Sequence, residues 1–211
     1  MLVGKRTRLV ELIERLVRLI MPPSLCHGVD HVLRVRDLAL AIAEKVREPV
    51  DREVLELAAL LHDIGRLSVA TNHAERSAEI ARILLELAGY PHDKIDMVVK
   101  AILAHSYTSH VEALSIEAKI LSDADKLDAL GAIGIARVFA YSGEMGRSIE
   151  DSVQHFYSKI LNLINTMYIS EAKRIAHERH RFVMEFLSRL FRELSMETKA
   201  FQPNPYKDST R

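Results

Sequence analysis

Two adjacent side chains, His62 and Asp63, offer metal-binding groups inside the otherwise apolar stretch Leu60-Leu61-His62-Asp63-Ile64-Gly65. Removing an unpaired carboxylate from water is costly, so such a group is usually neutralised, paired or bound to a cation. Imidazole and carboxylate groups together are ordinary ligands of divalent metals. A His-Asp pair alone is a weak motif, but His31 upstream and Asp125 downstream would complete one mononuclear site. The alternative is a core histidine hydrogen-bonded to a neighbouring carboxylate.

Helical periodicity indicates how these residues are positioned. The segment from about 51 to 64 is apolar almost all round, which predicts a central buried helix that carries His62 and Asp63 deep into the molecule. Asp125 and Asp128 lie on or beside the apolar stripe of a second helix, predicted at about 116–130. Solvated aspartates would avoid that stripe, and Lys126 brings a cation to the same neighbourhood.

Two further histidines have settings that suit chemistry. His105 shares the buried face of a helix predicted at about 92–106, where a single histidine is more often part of the core than a ligand. His73 comes just before a helix predicted at about 74–87, and Arg76 follows in its first turn. The unpaired backbone N–H groups of a helix start favour anions, so a phosphate contact and a simple helix cap are equal alternatives there.

Composition sets limits on function. The 211 residues include 29 Lys+Arg and 29 Asp+Glu, so the net charge gives no sign of a broad nucleic-acid surface, and any anion site must be local. The single cysteine, Cys26, cannot form an internal disulfide, which permits a reducing compartment. We find no signal peptide and no run of roughly 18 apolar residues that would span a membrane, so the expected location is the cytoplasm.

The helical period extends along nearly the whole chain and strand-like alternation is absent, which predicts one all-α domain. We expect this domain to cover residues 1–197, with its core at about 27–190, and a mobile polar tail at 198–211. Three of the predicted helices span about 28–48, 133–141 and 148–165. A homo-oligomer remains open, because amphipathic helices pack between subunits as readily as within one.

The ordered set His31, His62-Asp63, Asp125 resembles the HD superfamily of metal-dependent phosphohydrolases, and the likeness covers roughly residues 27–190. It is similar above all to a subgroup of small HD hydrolases. The segments that carry this likeness are His27-Gly28-Val29-Asp30-His31, Asn72-His73, His105-Ser106 and Asp123-Ala124-Asp125-Lys126-Leu127-Asp128-Ala129-Leu130-Gly131-Ala132-Ile133-Gly134.

The resemblance implies an orthogonal helical bundle with one divalent ion held by His31, His62, Asp63 and Asp125. Mn²⁺ is the expected ion, and Mg²⁺, Co²⁺, Ni²⁺, Fe²⁺ and Zn²⁺ are alternatives. Some members hydrolyse nucleoside triphosphates to the monophosphate and pyrophosphate, whereas others are nucleotidases or phosphodiesterases. A small nucleotide is therefore the expected substrate, and a non-catalytic nucleotide-binding HD module is the rival hypothesis.

Roles for individual residues follow from a bound metal, which would lower the pKa of water and neutralise a phosphoryl oxygen. Asp63 would combine ligation with orientation of the water, and Lys126 is the first choice for a phosphate contact. Weaker candidates for substrate binding are Arg76, His73 and His105. The two histidines would alternatively complete a second metal position.

Overall fold

The computed structural model describes residues 6–24, 26–67, 72–106 and 111–200, and over these ranges the chain is a single bundle of helices without strands. This confirms the predicted all-α fold class. The helices are α1 (Arg8–Ile20), α2 (Val29–Ala43), α3 (Arg52–Leu61), α4 (His73–Leu87), α5 (His92–His105), α6 (Ile116–Asp128), α7 (Gly131–Glu144), α8 (Ile149–Ser158) and α9 (Ser170–Ala200), with 3₁₀ turns at Ile64–Leu67 and Ile160–Thr166. Within those ranges no helix is both long and apolar enough to cross a membrane.

Short polar side chains fix where many of the helices begin. Each accepts a hydrogen bond from a backbone N–H of the first turn, which would otherwise lack a partner. These caps are Thr7, Asp51, Asn72, Ser115 and Ser148, at the starts of α1, α3, α4, α6 and α8. Because the helix starts are fixed, the register of each buried face is fixed as well.

The centre of the bundle is α3, as its apolar sequence predicts. From Val54 to Leu61 every residue of this helix is buried, and it packs against α1, α2, α4, α5 and α6. Because α3 is surrounded on all sides, the residues directly after its last turn also lie in the interior. The residues that follow are His62 and Asp63.

The largest differences from the sequence prediction lie at three boundaries. Helix α2 ends at Ala43 rather than at Glu48, ahead of Pro49, which cannot continue a helix. The predicted helix at 148–165 is two pieces, because Lys159 leaves the helical conformation at φ −133° and ψ −61°. Helix α9 continues to Ala200, so the first three residues of the predicted tail are helical, and residues 201–211 lie outside the described part of the chain.

Candidate metal centre and the adjoining cavity

The four predicted ligands converge from three helices. His31 comes from the first turn of α2, His62 and Asp63 directly follow α3, and Asp125 comes from the last turn of α6. His31 Nε2 lies 3.3 Å from His62 Nε2, 3.6 Å from Asp63 Oδ2 and 3.4 Å from Asp125 Oδ1. Ligands bonded to one ion at about 2.0–2.2 Å stand about 3–4 Å from one another, so these separations suit a shared ion.

Hydrogen bonds orient both histidines toward that point. His31 Nδ1 donates to Asp128 Oδ2 at 2.8 Å, and His62 Nδ1 donates to the carbonyl of Ala59 at 2.7 Å. In a neutral imidazole this leaves the Nε2 lone pair facing the cluster, which is the arrangement of metal-binding histidines. Two such lone pairs 3.3 Å apart are unfavourable unless a cation lies between them.

One oxygen of Asp63 also lacks a partner. Asp63 is 2% exposed, and its Oδ1 has no hydrogen bond from the described residues. The Nε2 atoms of His73 and His105 lie 3.7 and 3.8 Å from it, beyond hydrogen-bonding distance. An orphaned carboxylate oxygen in the interior costs roughly 1–3 kcal/mol, which a bound cation would offset. Two imidazoles and two carboxylates are also a suitable donor set for a divalent transition metal.

The protonation states agree with this interpretation. Burial lowers the pKa of His62 to about 4, so its imidazole is neutral at neutral pH. Burial alone would raise the pKa of Asp63, but His62 and the other histidines around it hold that pKa well below its usual range. Burial would also raise the pKa of Asp125, but the nearby His31 and His62 lower it below its usual value. The cluster therefore presents ionised carboxylates beside a neutral histidine.

Two of the three predicted substrate-binding residues lie beside this cluster. His105, at the end of α5, is buried with its ring centroid 5.0 Å from that of His62. His73, the first residue of α4, lines the cavity next to Asp63. Neither His105 nor Arg76 is among the described residues that line the cavity, but His105 is buried against the cluster whereas Arg76 is exposed.

One arginine that contacts a candidate ligand directly is Arg66, which the sequence pattern did not single out. Its Nε donates to Asp63 Oδ2 at 2.7 Å, and its Nη2 donates to His73 Nε2 at 3.0 Å. The available signal was its place three residues after Asp63, a spacing that brings two side chains together within one helical turn. His27 was likewise left unassigned, and its Nδ1 lies 3.3 Å from Asp63 Oδ2.

Lys126, the predicted phosphate contact, lines the cavity, but part of its donor capacity is used. Its Nζ donates to the carbonyl of Thr166 at 2.7 Å and lies 4.8 Å from the centre of the Tyr168 ring. The neighbouring Asp123 is fully buried and accepts hydrogen bonds from the backbone N–H groups of Tyr168 and Ile169. These contacts attach the start of α9 to α6, and two N–H bonds of the Lys126 ammonium are left for a ligand.

The cluster of candidate ligands opens onto a cavity of about 430 Å³. Asp63 and Asp125 lie at the cluster side, and basic side chains occupy much of the remaining wall. These are Arg66, Lys126, Arg137, Arg147 and Lys159, together with His27, His73 and His155. A chain with no net charge thus has a basic cavity beside a metal-competent cluster, an arrangement that suits a phosphorylated ligand.

An all-α bundle with a His, His-Asp, Asp cluster beside a basic cavity defines a class of metal-dependent phosphohydrolases. The family model described as HD domain matches residues 28–130, a range that includes all four candidate ligands. The chain belongs to the HD superfamily, as its resemblance predicted, and is an HD-domain metal-dependent phosphohydrolase.

Individual relatives agree with this assignment. The chain is 35% identical over 176 residues to the uncharacterized protein YpgQ of Bacillus subtilis, covering 80% of this chain and 84% of that protein. The crystal structure of YpgQ in complex with ADP superimposes with a TM-score of 0.72 at 32% identity, covering 87% of this chain and 97% of YpgQ. An HD-superfamily hydrolase from Bacillus thuringiensis matches with a TM-score of 0.69 at 32% identity, covering 90% and 99% of the two chains.

Proposed function

We propose that this protein hydrolyses nucleoside or deoxynucleoside triphosphates to the monophosphate and pyrophosphate, with Mn²⁺ as the working ion. The observation that carries the proposal is the direct opening of the His31, His62, Asp63 and Asp125 cluster onto a basic cavity of about 430 Å³. The complex of the related YpgQ with ADP supports a nucleotide as the ligand.

The free, buried Cys26 is compatible with a reducing compartment, and we place the protein in the cytoplasm.

The proposed reaction joins the oxygen of water to the α-phosphorus and breaks the bond from that phosphorus to the α–β bridging oxygen. The bond's electron pair leaves with pyrophosphate, which keeps one of the two water protons near neutral pH, while the other is released. A divalent ion bound to the cluster supplies an acidified water and neutralises a phosphoryl oxygen.

The surrounding residues have separable proposed roles. Asp63 would help to hold the ion and would orient the water, and its Oδ1 has no hydrogen bond from the described residues. Lys126 contacts a phosphate through its remaining N–H bonds. We keep His73 and His105 as substrate contacts, with a second metal position as the alternative. Arg76 is not kept, because it is exposed and is not among the described residues that line the cavity.

The test is a product analysis of metal-stripped protein supplied with Mn²⁺ and a panel of nucleoside mono-, di- and triphosphates. We expect pyrophosphate from triphosphates, and its loss by at least about 1000-fold in Asp63→Ala, because a ligand and the water-orienting oxygen are both removed. Asp96→Ala is the matched control, since Asp96 is an exposed aspartate whose partner is Arg82 on the surface.

Other products would assign the site differently. Orthophosphate from monophosphates would identify a 5′-nucleotidase, and cleavage only of diesters would identify a phosphodiesterase. Nucleotide binding without any metal-dependent product would contradict the proposal and favour the non-catalytic HD module.

A further inference from the structure

Lys159 is set apart from the other cations of the cavity by its lack of a protein partner. Arg66 is held by Asp63 and His73, Lys126 by Thr166, and Arg137 by Asp128 and the carbonyl of Cys26. Arg147 is exposed and stacks on the Tyr141 ring, with its Cζ 5.1 Å from the ring centre. Among the described residues, no hydrogen bond or ion pair involves the Lys159 ammonium.

The environment of Lys159 makes this lack of a partner costly. The side chain is half-buried and lines the cavity, and burial lowers its pKa, while the negative charge of Asp125 opposes that shift. A lysine removed from water without a counter-charge is destabilising, and proteins usually avoid it outside functional sites. The ammonium therefore lies within electrostatic reach of the candidate metal ligands, with its donors available.

Hydrogen bonds and buried neighbours fix the backbone around Lys159. Helix α8 ends at Ser158, and the break contains neither proline nor glycine. The side-chain amide of Asn162 donates to the carbonyls of Tyr157 and Ser158, which the end of the helix leaves without helical partners. Phe156 and Ile160 are both buried and fix the chain on either side of the break.

We propose that Lys159 binds the phosphate groups of the substrate that the metal does not hold. This inference rests on the proposed function, and it follows from charge: a nucleoside triphosphate carries about four negative charges at neutral pH, and a divalent ion at the cluster compensates about half of them. The remaining charge lies on the departing phosphates. The Lys159 ammonium lines the cavity without a hydrogen bond or ion pair from the described residues, so all of its N–H bonds are available to pair with them.

The experiment compares binding of ADP, inorganic pyrophosphate and AMP to Mn²⁺-loaded wild type and to Lys159→Met, by calorimetry. Methionine keeps the length and apolar stem of the side chain and removes the charge. We expect ADP and pyrophosphate to bind about 10- to 100-fold more weakly, the effect of losing one charge-assisted hydrogen bond, and AMP to bind within about twofold of wild type. Lys159→Arg should return ADP binding to within about fivefold of wild type, because a guanidinium also pairs with phosphate.

Two measurements test whether weaker binding results from lost metal or lost stability rather than from the missing charge. Bound Mn²⁺ and thermal stability should match wild type in Lys159→Met, and Lys100→Met is the control for removing an exposed lysine.

Equal weakening of ADP and AMP binding, or no weakening of either, would overturn the inference. If wild type cleaves no triphosphate while the ADP defect is present, the proposed function fails and the phosphate contact stands. Triphosphate cleavage of equal efficiency in wild type and Lys159→Met would contradict the Lys159 contact and leave the proposed function standing.

Discussion

Asp128 is the residue on which the orientation of the candidate metal ligand His31 depends. It is buried, and it accepts hydrogen bonds from His31 Nδ1, from Nε and Nη2 of Arg34, and from Nη1 of Arg137. Burial would raise the pKa of Asp128, but the hydrogen bonds from His31 and Arg34 hold it well below its usual range. The permanent negative charge keeps the proton of His31 on Nδ1, and Nε2 remains available for a metal.

Substitution of Asp128 should therefore weaken metal binding without removing a ligand. We expect Asp128→Asn to raise the Mn²⁺ dissociation constant about 10- to 100-fold, the usual cost of losing a group that orients a metal-binding histidine. Electron paramagnetic resonance of free Mn²⁺ during a titration measures this directly. Asp30→Asn, an exposed change on the same helix as His31, is the control. Unaltered Mn²⁺ affinity in Asp128→Asn would show that the negative charge of Asp128 is not needed to orient His31.

At the scale of single residues, periodicity predicted which positions are buried but not which side chains meet. It placed Asp125 and Asp128 on an apolar stripe, yet the partner of Asp128 is His31, at the other end of the HD region. Arg76 looked suitable because it follows a helix start, whereas its position on α4 is exposed. Arg66 has a local signal in its spacing from Asp63, but its second partner, His73, comes next to it only in the folded chain.

Among the elements, the 3₁₀ turn Ile64–Leu67 decides how Asp63 and His73 are placed relative to each other. Gly65 in this turn packs directly on the start of α4, where its N–H donates to Ser77 Oγ at 2.9 Å. A Cβ atom at this position would lie 2.6 Å from the His73 carbonyl oxygen and 2.7 Å from the Ser77 nitrogen. Both are backbone atoms, so only a movement of α4 would relieve the contact.

Gly65→Ala should consequently disturb both stability and the site. We expect the free energy of unfolding to fall by about 1–3 kcal/mol, the usual cost of overpacking, and the nucleotide hydrolysis rate to fall with the displacement of His73. Urea unfolding and product analysis measure the two effects. Gly143→Ala in α7 is the matched control, since a Cβ there meets no atom within 4 Å. Wild-type stability in Gly65→Ala would mean that the turn adjusts without moving α4.

Sequence patterns predicted the elements unevenly. The buried character of α3 is plain from its composition and is confirmed. The end of α8 cannot be predicted from the sequence, because Phe156, Ile160 and Leu163 continue a helical period across the break. That break is stabilised by the Asn162 side chain and by burial on both sides, which depend on tertiary contacts rather than on a local stop signal.

For the whole molecule, the candidate ligands connect helices that are far apart in the chain. An ion bound by α2, α6 and the residues after α3 is available only in the native state, so it must stabilise that state. At a free Mn²⁺ concentration 100 times the dissociation constant the gain is about 2.7 kcal/mol. A domain of this size should then melt roughly 5–10 °C higher than the chelator-treated protein.

Thermal melts in chelator and in Mn²⁺ measure this shift, with Asp63→Ala as the comparison. The variant should lose most of the shift, because it lacks one ligand. A shift of equal size in both proteins would place the stabilising ion elsewhere.

The cavity wall and the metal ligands belong to different parts of the chain. All four candidate ligands lie within the matched HD region, which ends at residue 130, whereas more than half of the cavity-lining residues come after it. Changes in α7, in α8 or at the Lys159 break can therefore alter which molecule is accepted while the hydrolytic chemistry is inherited intact. Divergence of substrate choice among relatives should accordingly be sought in their last 80 or so residues, where it would leave no trace in a motif search.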